Sequence, residues 1–239
     1  MQDKKYKDMM EKSTIHSDAW PEDEKQQVYS EVHKLLSDIK NDIAISDITF
    51  RPLDQTDIQE LSNLHKEWLP IHYENQYYYT AITSPNSISL GAFYNKKGRK
   101  KRALLVGAIL ARSQYDDSVS DLINRKGWCY KLARALNCCR KQDIILYIMT
   151  FGVVDELRRI GIGSELIKRC VETAREKIPN CKGISLHVIE HNHSGISFYK
   201  RQGYKQLNYD KNFYQIKGKR YGAYNFGVLF ENKVKDKIE

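Results

Sequence analysis

Val153-Val154-Asp155-Glu156-Leu157-Arg158-Arg159-Ile160-Gly161-Ile162-Gly163-Ser164 is the stretch whose reading decides the fold. The residues leading into it, 144–154, are rich in β-branched and aromatic side chains and predict a buried strand. The residues leaving it, 161–177, place Ile162, Leu166, Ile167, Cys170, Val171 and Ala174 on one face of a helix. A strand ends, a short basic turn follows, and Gly161 and Gly163 open an amphipathic helix. Glycines there let the backbone approach a ligand closely and expose the unpaired N–H groups of the first helical turn. With the positive end of the helix dipole those donors form an anion site suited to a pyrophosphate, and Arg158 and Arg159 add charge beside it. Other phosphate loops fit poorly. The pattern GxxxxGK[ST] is absent, because Ser164-Glu165-Leu166 follows the glycines, and the third glycine of a dinucleotide fingerprint is missing.

Working outward, residues 183–189 read as a further strand in which Ile184, Leu186 and Val188 share one face and Ser185 and His187 the other. A short helix is expected over 194–201 and late strands over 204–209 and 221–230. Upstream, residues 88–94 and 103–111 predict two strands joined by the basic run 96–102, a solvated hairpin tip. Residues 113–143 form a long polar and basic connection. Thr56 with Gln59 has the form of a capping box, and Ile58, Leu61 and Leu64 continue a helical face toward Trp68. In residues 45–51, Ile48 and Phe50 alternate with Asp47, Thr49 and Arg51, which predicts the first strand. Before it, Val28, Val32, Leu35, Leu36 and Ile39 form one helical stripe. Residues 1–43 are therefore expected to be an N-terminal helical extension packed on a domain spanning 44–239. Strands mixed with helices in this order predict an α/β fold.

The composition bounds the function. The chain has 239 residues, 41% hydrophobic and 29% charged, as in a folded globular protein. No apolar run approaches the roughly 18 residues that span a bilayer, and the polar N-terminus does not read as a secretory signal. Five cysteines without CxxC spacing suit reduced thiols in a cytoplasmic compartment, and no metal site is expected. The net charge of +9 is uneven: residues 1–46 carry 7 basic and 10 acidic side chains, the rest 32 and 20. Such a surface attracts polyanions, whether nucleic acid, an anionic membrane or a phosphorylated cofactor.

Arg158-x-x-Gly161-x-Gly163 between a strand and a helix resembles the coenzyme A pyrophosphate motif of the GNAT acetyltransferase superfamily. Asn192-His193-Ser194-Gly195-Ile196-Ser197-Phe198-Tyr199-Lys200-Arg201-Gln202-Gly203-Tyr204 resembles that family's second motif, N-x-x-[AG]-x-x-F-Y-x-x-x-G-[FY]. Leu69-Pro70-Ile71-His72-Tyr73, Tyr147 through Val154 and Leu186-His187-Val188 are similar to protein N-terminal acetyltransferases of the NatE and NatF types. The connection 113–143 and the segment 209–222 are more similar to the NatF type. The resemblance spans about residues 46–231 and implies a GNAT fold, with a mixed central sheet flanked by helices. Two departures stand out. NatF-type proteins of animals carry C-terminal amphipathic anchor helices, whereas this chain stops soon after its last expected strand. The tyrosine pair near the peptide site is here Phe213-Tyr214.

The resemblance implies transfer of an acetyl group from acetyl-CoA to the α-amine of Met-starting protein N-termini. In it, Tyr147 and His187 act as general bases through ordered water. It places the cofactor against Phe151, Gly152 and Val153, against Arg158, Arg159, Ile160, Gly161, Ile162, Gly163 and Ser164, and against Asn192, Tyr199 and Tyr209. Tyr199 is also a candidate proton donor to the leaving thiolate. Leu69, Pro70, Ile71, Tyr73, Met149, Phe213 and Tyr214 are expected to line an apolar pocket for the first side chain. The acceptor chemistry agrees in magnitude: an α-amine has a pKa of about 7.7–8.0 against roughly 10.4 for lysine, so a modest base suffices. The competing readings are a lysine, histone or small-amine acetyltransferase, and a non-catalytic module binding nucleic acid or membrane through the basic run. No specific nucleic-acid partner is expected. The cytosolic face of a membrane is the alternative to a purely cytoplasmic location.

Overall fold

The computed structural model describes residues 33–69 apart from Leu35, 73–95, 103–115 and 144–230. Val28, Val32 and Leu35 of the N-terminal stripe, Pro70 and Ile71 of the expected peptide pocket, the basic run 96–102 and residues 116–143 of the connection lie outside them. Seven strands among the described residues form one sheet: β1 (Ile48–Pro52), β2 (Ser87–Tyr94), β3 (Leu104–Tyr115), β4 (Ile144–Val153), β5 (Cys181–Ile189), β6 (Lys205–Ile216) and β7 (Lys219–Leu229). Their order is β1-β2-β3-β4-β5-β7-β6. Every neighbouring pair is antiparallel except β4 and β5, which run parallel. That parallel pair requires a crossover, and the amphipathic helix after the glycines supplies it.

Among the described residues, α1 (Ile58–Trp68), α2 (Asn75–Thr83), α3 (Ile162–Lys177) and α4 (His193–Arg201) flank the sheet. Their sides follow from two adjacent residues of β4. Phe151 stacks on Phe198 of α4 at 5.5 Å between ring centroids, whereas a side chain on Gly152 would run into the Trp68 ring of α1. Successive strand residues point to opposite faces, so α1 lies on one face and α4 on the other. Covered on both faces, β2 and β3 are built of near-continuous apolar residues, and Val106, Ile109, Leu110 and Ala92 are fully buried.

Several expected boundaries move, for identifiable reasons. Residues 45–47 form a 3-10 turn, so β1 starts at Ile48, where alternation of buried and exposed side chains begins. The helix-start box is not Thr56 with Gln59. Asp54 caps a 3-10 turn, accepting from the Thr56 backbone N–H at 2.7 Å, and Asp57 reaches back to the Asp54 N–H at 2.9 Å. Asp57 is fully buried but held bidentately by Arg51 at 2.7 and 2.9 Å, which satisfies the charge. Helix α2 is an element that periodicity did not reveal. It is rich in tyrosine and has a weak apolar stripe, and Tyr77 and Tyr78 pack beneath Tyr73. β3 runs on to Tyr115, into residues read as connection, and β6 runs to Ile216. There Lys217 and Gly218 take positive φ (48° and 75°), as a two-residue hairpin turn demands.

Within the N-terminal extension, Leu36 is fully buried and belongs to the same core as the sheet, with Ile39 packed against it. His33 bonds to Glu67 at the end of α1 (3.0 Å) and to Glu156 ahead of the glycine turn (2.5 Å). Burial alone would lower the His33 pKa, but the hydrogen bonds and charges of Glu156 and Glu67 raise it. Among the described residues no helix is long and apolar enough to cross a membrane, and no cluster of His, Cys, Asp and Glu could hold a metal ion.

Candidate active site

The site is a break in the sheet. β4 and β5 pair from Ile144↔Cys181 to Tyr147↔Ser185 and then part, so from Ile148 onward no strand among the described residues pairs with β4 on its β5 side. A bulge in the same strand begins the parting. Leu110 faces Thr150 while Ala111 faces Ile148, which leaves Met149 outside the β3–β4 register. The opening is a cleft of about 180 Å³ whose walls include Trp68, Met149, Phe151, His187, Tyr199 and Tyr214. A larger depression of about 340 Å³ between β1, β2 and α3 contains none of the expected site residues.

At the fork sit the two expected bases. The Tyr147 hydroxyl is 3.1 Å from His187 Nδ1. The other ring nitrogen, Nε2, is 3.2 Å from Asp210 Oδ2. A carboxylate only accepts, so in the neutral ring Nε2 carries the hydrogen and Nδ1 accepts from the Tyr147 O–H. Phe213 stacks on the imidazole at 3.9 Å and 12°, and Tyr214 O–H donates to the His187 carbonyl at 3.3 Å. Burial, with Tyr73 nearby, pushes the Tyr214 phenol well above its ordinary range and keeps it protonated. Asp210 was not anticipated. It reaches His187 because residues 211–213 are inserted between Asp210↔Ala223 and Tyr214↔Tyr221 in the β6–β7 register. An acidic residue three positions before an aromatic pair was the only available sign.

The strand–turn–helix folds as expected. Gly161 takes φ +101° at the N-cap of α3 and supplies no side-chain cap, so side chains leave the first N–H groups of a 16-residue helix uncapped. A β-carbon on Gly163 would lie 3.1 Å from Phe151, which explains the second glycine by packing. Ser164 accepts from Gln202 at 2.8 Å. Ile160 packs partly buried against the core. Arg159 takes φ 69° and is exposed. Arg158 does not project freely: its Nε donates to the Val153 carbonyl at 3.1 Å, and its terminal nitrogen pairs with Asp155 at 2.5 Å, which ties the turn to the end of β4.

At the far wall, Asn192 Oδ1 caps α4, accepting from Gly195 N–H at 2.9 Å. Burial, helped by Tyr204, pushes the Tyr199 phenol well above its ordinary range, which keeps it protonated. Tyr209 stands apart from the cleft: its hydroxyl donates to Glu190 at 2.5 Å and its ring lies on Gly222 and Tyr224. Leu69, Tyr73 and Met149 line the cleft, together with Trp68 and Thr150, which were not anticipated.

The family described as "Acetyltransferase (GNAT) family" matches the chain over residues 57–204. N-alpha-acetyltransferase 60 of Danio rerio is 29% identical over 204 residues, covering 82% of this chain and 75% of that protein. Histone acetyltransferase MCC1 of Arabidopsis thaliana is 27% identical over 187 residues, covering 77% and 70%. Among solved structures, Arabidopsis thaliana NAA60 in complex with a bisubstrate analogue aligns with a TM-score of 0.64 and 29% identity. That alignment covers 77% of this chain and 99% of the other. The same protein in complex with acetyl-CoA aligns with a TM-score of 0.63 at 28% identity.

Proposed function

This chain belongs to the acetyltransferase (GNAT) family, and from that membership we propose that it acetylates the free α-amine of protein N-termini, Met-starting ones first. Acetyl-CoA, when bound, supplies the activated acetyl thioester. The fold has the means to hold it: an uncapped helix start at Gly161–Ser164 for the pyrophosphate, and the unpaired edge of β4 at Phe151, Gly152 and Val153 for the extended arm. Arg158 and Arg159 add positive charge at the turn, and Asn192 and Tyr199 close the opposite wall.

The observation that carries the reading is the line Tyr147–His187–Asp210 at the fork of the cleft. With the Tyr147 hydrogen directed at Nδ1, its oxygen takes a proton from the amine or from a water bridging to it. His187 then takes the Tyr147 proton on Nδ1, and Asp210 stabilises the imidazolium that forms. The Phe213 stack and the Tyr214 bond hold the ring in that orientation. Tyr199, on the cleft wall, is the candidate to return a proton to the departing thiolate. Leu69, Tyr73 and Met149 give the acceptor's first side chain an apolar wall.

The relatives divide between α-amine and histone acetylation by name, so the acceptor is the point to test. A panel of peptides with free Met-Lys, Met-Val, Met-Leu and Ser-Glu N-termini, plus N-blocked peptides with an internal lysine, is assayed with labelled acetyl-CoA. Turnover confined to Met-starting peptides supports the proposal. Turnover confined to the blocked lysine peptides replaces it with a lysine acetyltransferase.

A further inference from the structure

Two buried polar groups on the α1 wall of the cleft have no work to do inside the protein. Thr150 is 4% exposed, and its hydroxyl has no hydrogen-bond partner among the described residues. The indole N–H of Trp68 is likewise buried and unpartnered. Both residues line the cleft. A buried polar group left unsatisfied is costly, so two such groups lining one cleft call for a ligand.

Strand geometry puts the two on one face of the cleft. Thr150 and Gly152 are two apart on β4, beyond the bulge, and so face the same way, about 6.6 Å along the strand. Trp68 lies flat on Gly152, where a β-carbon would overlap its ring. Trp68 therefore covers the face of β4 that Thr150 also presents, opposite Phe151, and both residues line the cleft. Behind it, His65 is buried with its ring centroid 5.9 Å from that of Trp68, and burial pushes its pKa down to about 3. Neutral at working pH, His65 brings no charge to this wall. Two neutral donors without a cation match an uncharged acceptor oxygen better than a phosphate or carboxylate.

We propose that Trp68 Nε1–H and Thr150 Oγ1–H form a two-donor seat for a carbonyl oxygen of the bound reactants, which makes both of them binding residues of the transfer reaction. The proposal rests on the acyl-transfer reading above. The carbonyl belongs either to the cofactor, as thioester or as an amide of its arm, or to the backbone of the acceptor peptide.

Thr150→Val is the cleanest test, because valine keeps the shape and removes only the hydroxyl. Binding is measured by calorimetry in three arms: coenzyme A, acetyl-CoA, and a Met-starting hexapeptide added to protein saturated with coenzyme A, where no acetyl group is available. Melting of the ligand-free protein is followed in parallel. The seat predicts binding weaker by about 3- to 10-fold in at least one arm, the scale of one neutral hydrogen bond. It also predicts a ligand-free Tm unchanged or raised, because an orphaned hydroxyl has been removed. Loss with acetyl-CoA alone assigns the seat to the thioester, loss with both cofactor forms to an arm amide, and loss in the third arm to the peptide. Trp68→Phe should weaken the same arm. Wild-type affinity in all arms for both variants overturns the seat, as does a lowered Tm with unchanged binding, which would assign Thr150 to an internal water. Wild-type protein that binds neither coenzyme A nor peptide would refute the acyl-transfer reading itself.

Discussion

If Tyr147 and His187 move a proton as one unit, removing both should cost little more than removing either. The structure sets the scale. Their bond is 3.1 Å long and joins two partly buried side chains, so its worth to folding is that of a neutral hydrogen bond, about 0.5–1.5 kcal/mol. For a domain of this size Tyr147→Phe should then lower Tm by roughly 1–6 °C. His187→Ala also forfeits the 3.9 Å stack on Phe213, so about 1–3 kcal/mol is expected. Both variants stay folded. Activity should fall much further, because a positioned general base is worth about 10²–10⁴-fold. The assay is single-turnover acetylation of a Met-starting peptide, with circular dichroism melts as the folding control. Each single variant is expected to lose at least about 10²-fold, and the double variant to stay within about threefold of the slower single, since groups acting as a unit are not additive. Losses that multiply in the double variant would refute a shared relay. Near-normal turnover in both singles would remove the pair from the mechanism.

Other expectations follow from the packing. Leu36→Ala opens a void under a fully buried side chain and should cost about 2–5 kcal/mol, seen as a clear fall in Tm; an unchanged melt would mean that this part of the extension is not seated. Gly152→Ala drives a methyl group into the Trp68 ring, so a destabilisation of about 1–3 kcal/mol and a changed tryptophan emission are expected; wild-type values for both would refute the contact. The raised pKa of His33 implies that its contribution is complete below the unfolded value, about 6.5, and is lost as pH rises through the folded value. Burial raises the Glu67 pKa despite His33, and its effect has the same sign, beginning lower, near 4.5. Stability should therefore fall as pH rises from about 6.5, and His33→Ala should flatten that slope in Tm; an unaltered slope would exclude a contribution from the His33 pairs with Glu67 and Glu156.

What the sequence by itself determined about this protein is what short-range periodicity encodes. The strand over residues 144–153, the glycine turn and helix α3 were legible because β-branching, glycine placement and a 3.6-residue stripe act within a few residues of one another. The same holds for the alternation in β5 that set His187 apart from Ile184, Leu186 and Val188. Two spaced motifs then pointed to the family, and a closer resemblance around Tyr147 and Leu186-His187-Val188 supplied expected roles for Tyr147 and His187 that no local pattern could assign.

Only the tertiary structure decided how those residues are served. Tyr147 and His187 lie 40 positions apart, His187 and Asp210 lie 23 apart, and His33 and Glu156 lie 123 apart. The first two pairings depend on sheet register, which bulges set: Met149 displaced in β4, and residues 211–213 set against Gly222 in the β6–β7 pair; the third depends on where the N-terminal extension meets the turn after β4. A bulge leaves almost no trace in composition, because it is a displacement of one to three residues that keep the character of the strand around them. The Trp68 ring over Gly152, the bare hydroxyl of Thr150 and the displacement of Tyr209 from the cleft onto Glu190 are likewise consequences of which surfaces meet. Local propensity chose the elements; the packing of α1 and the β6–β7 hairpin against a forked sheet chose the site.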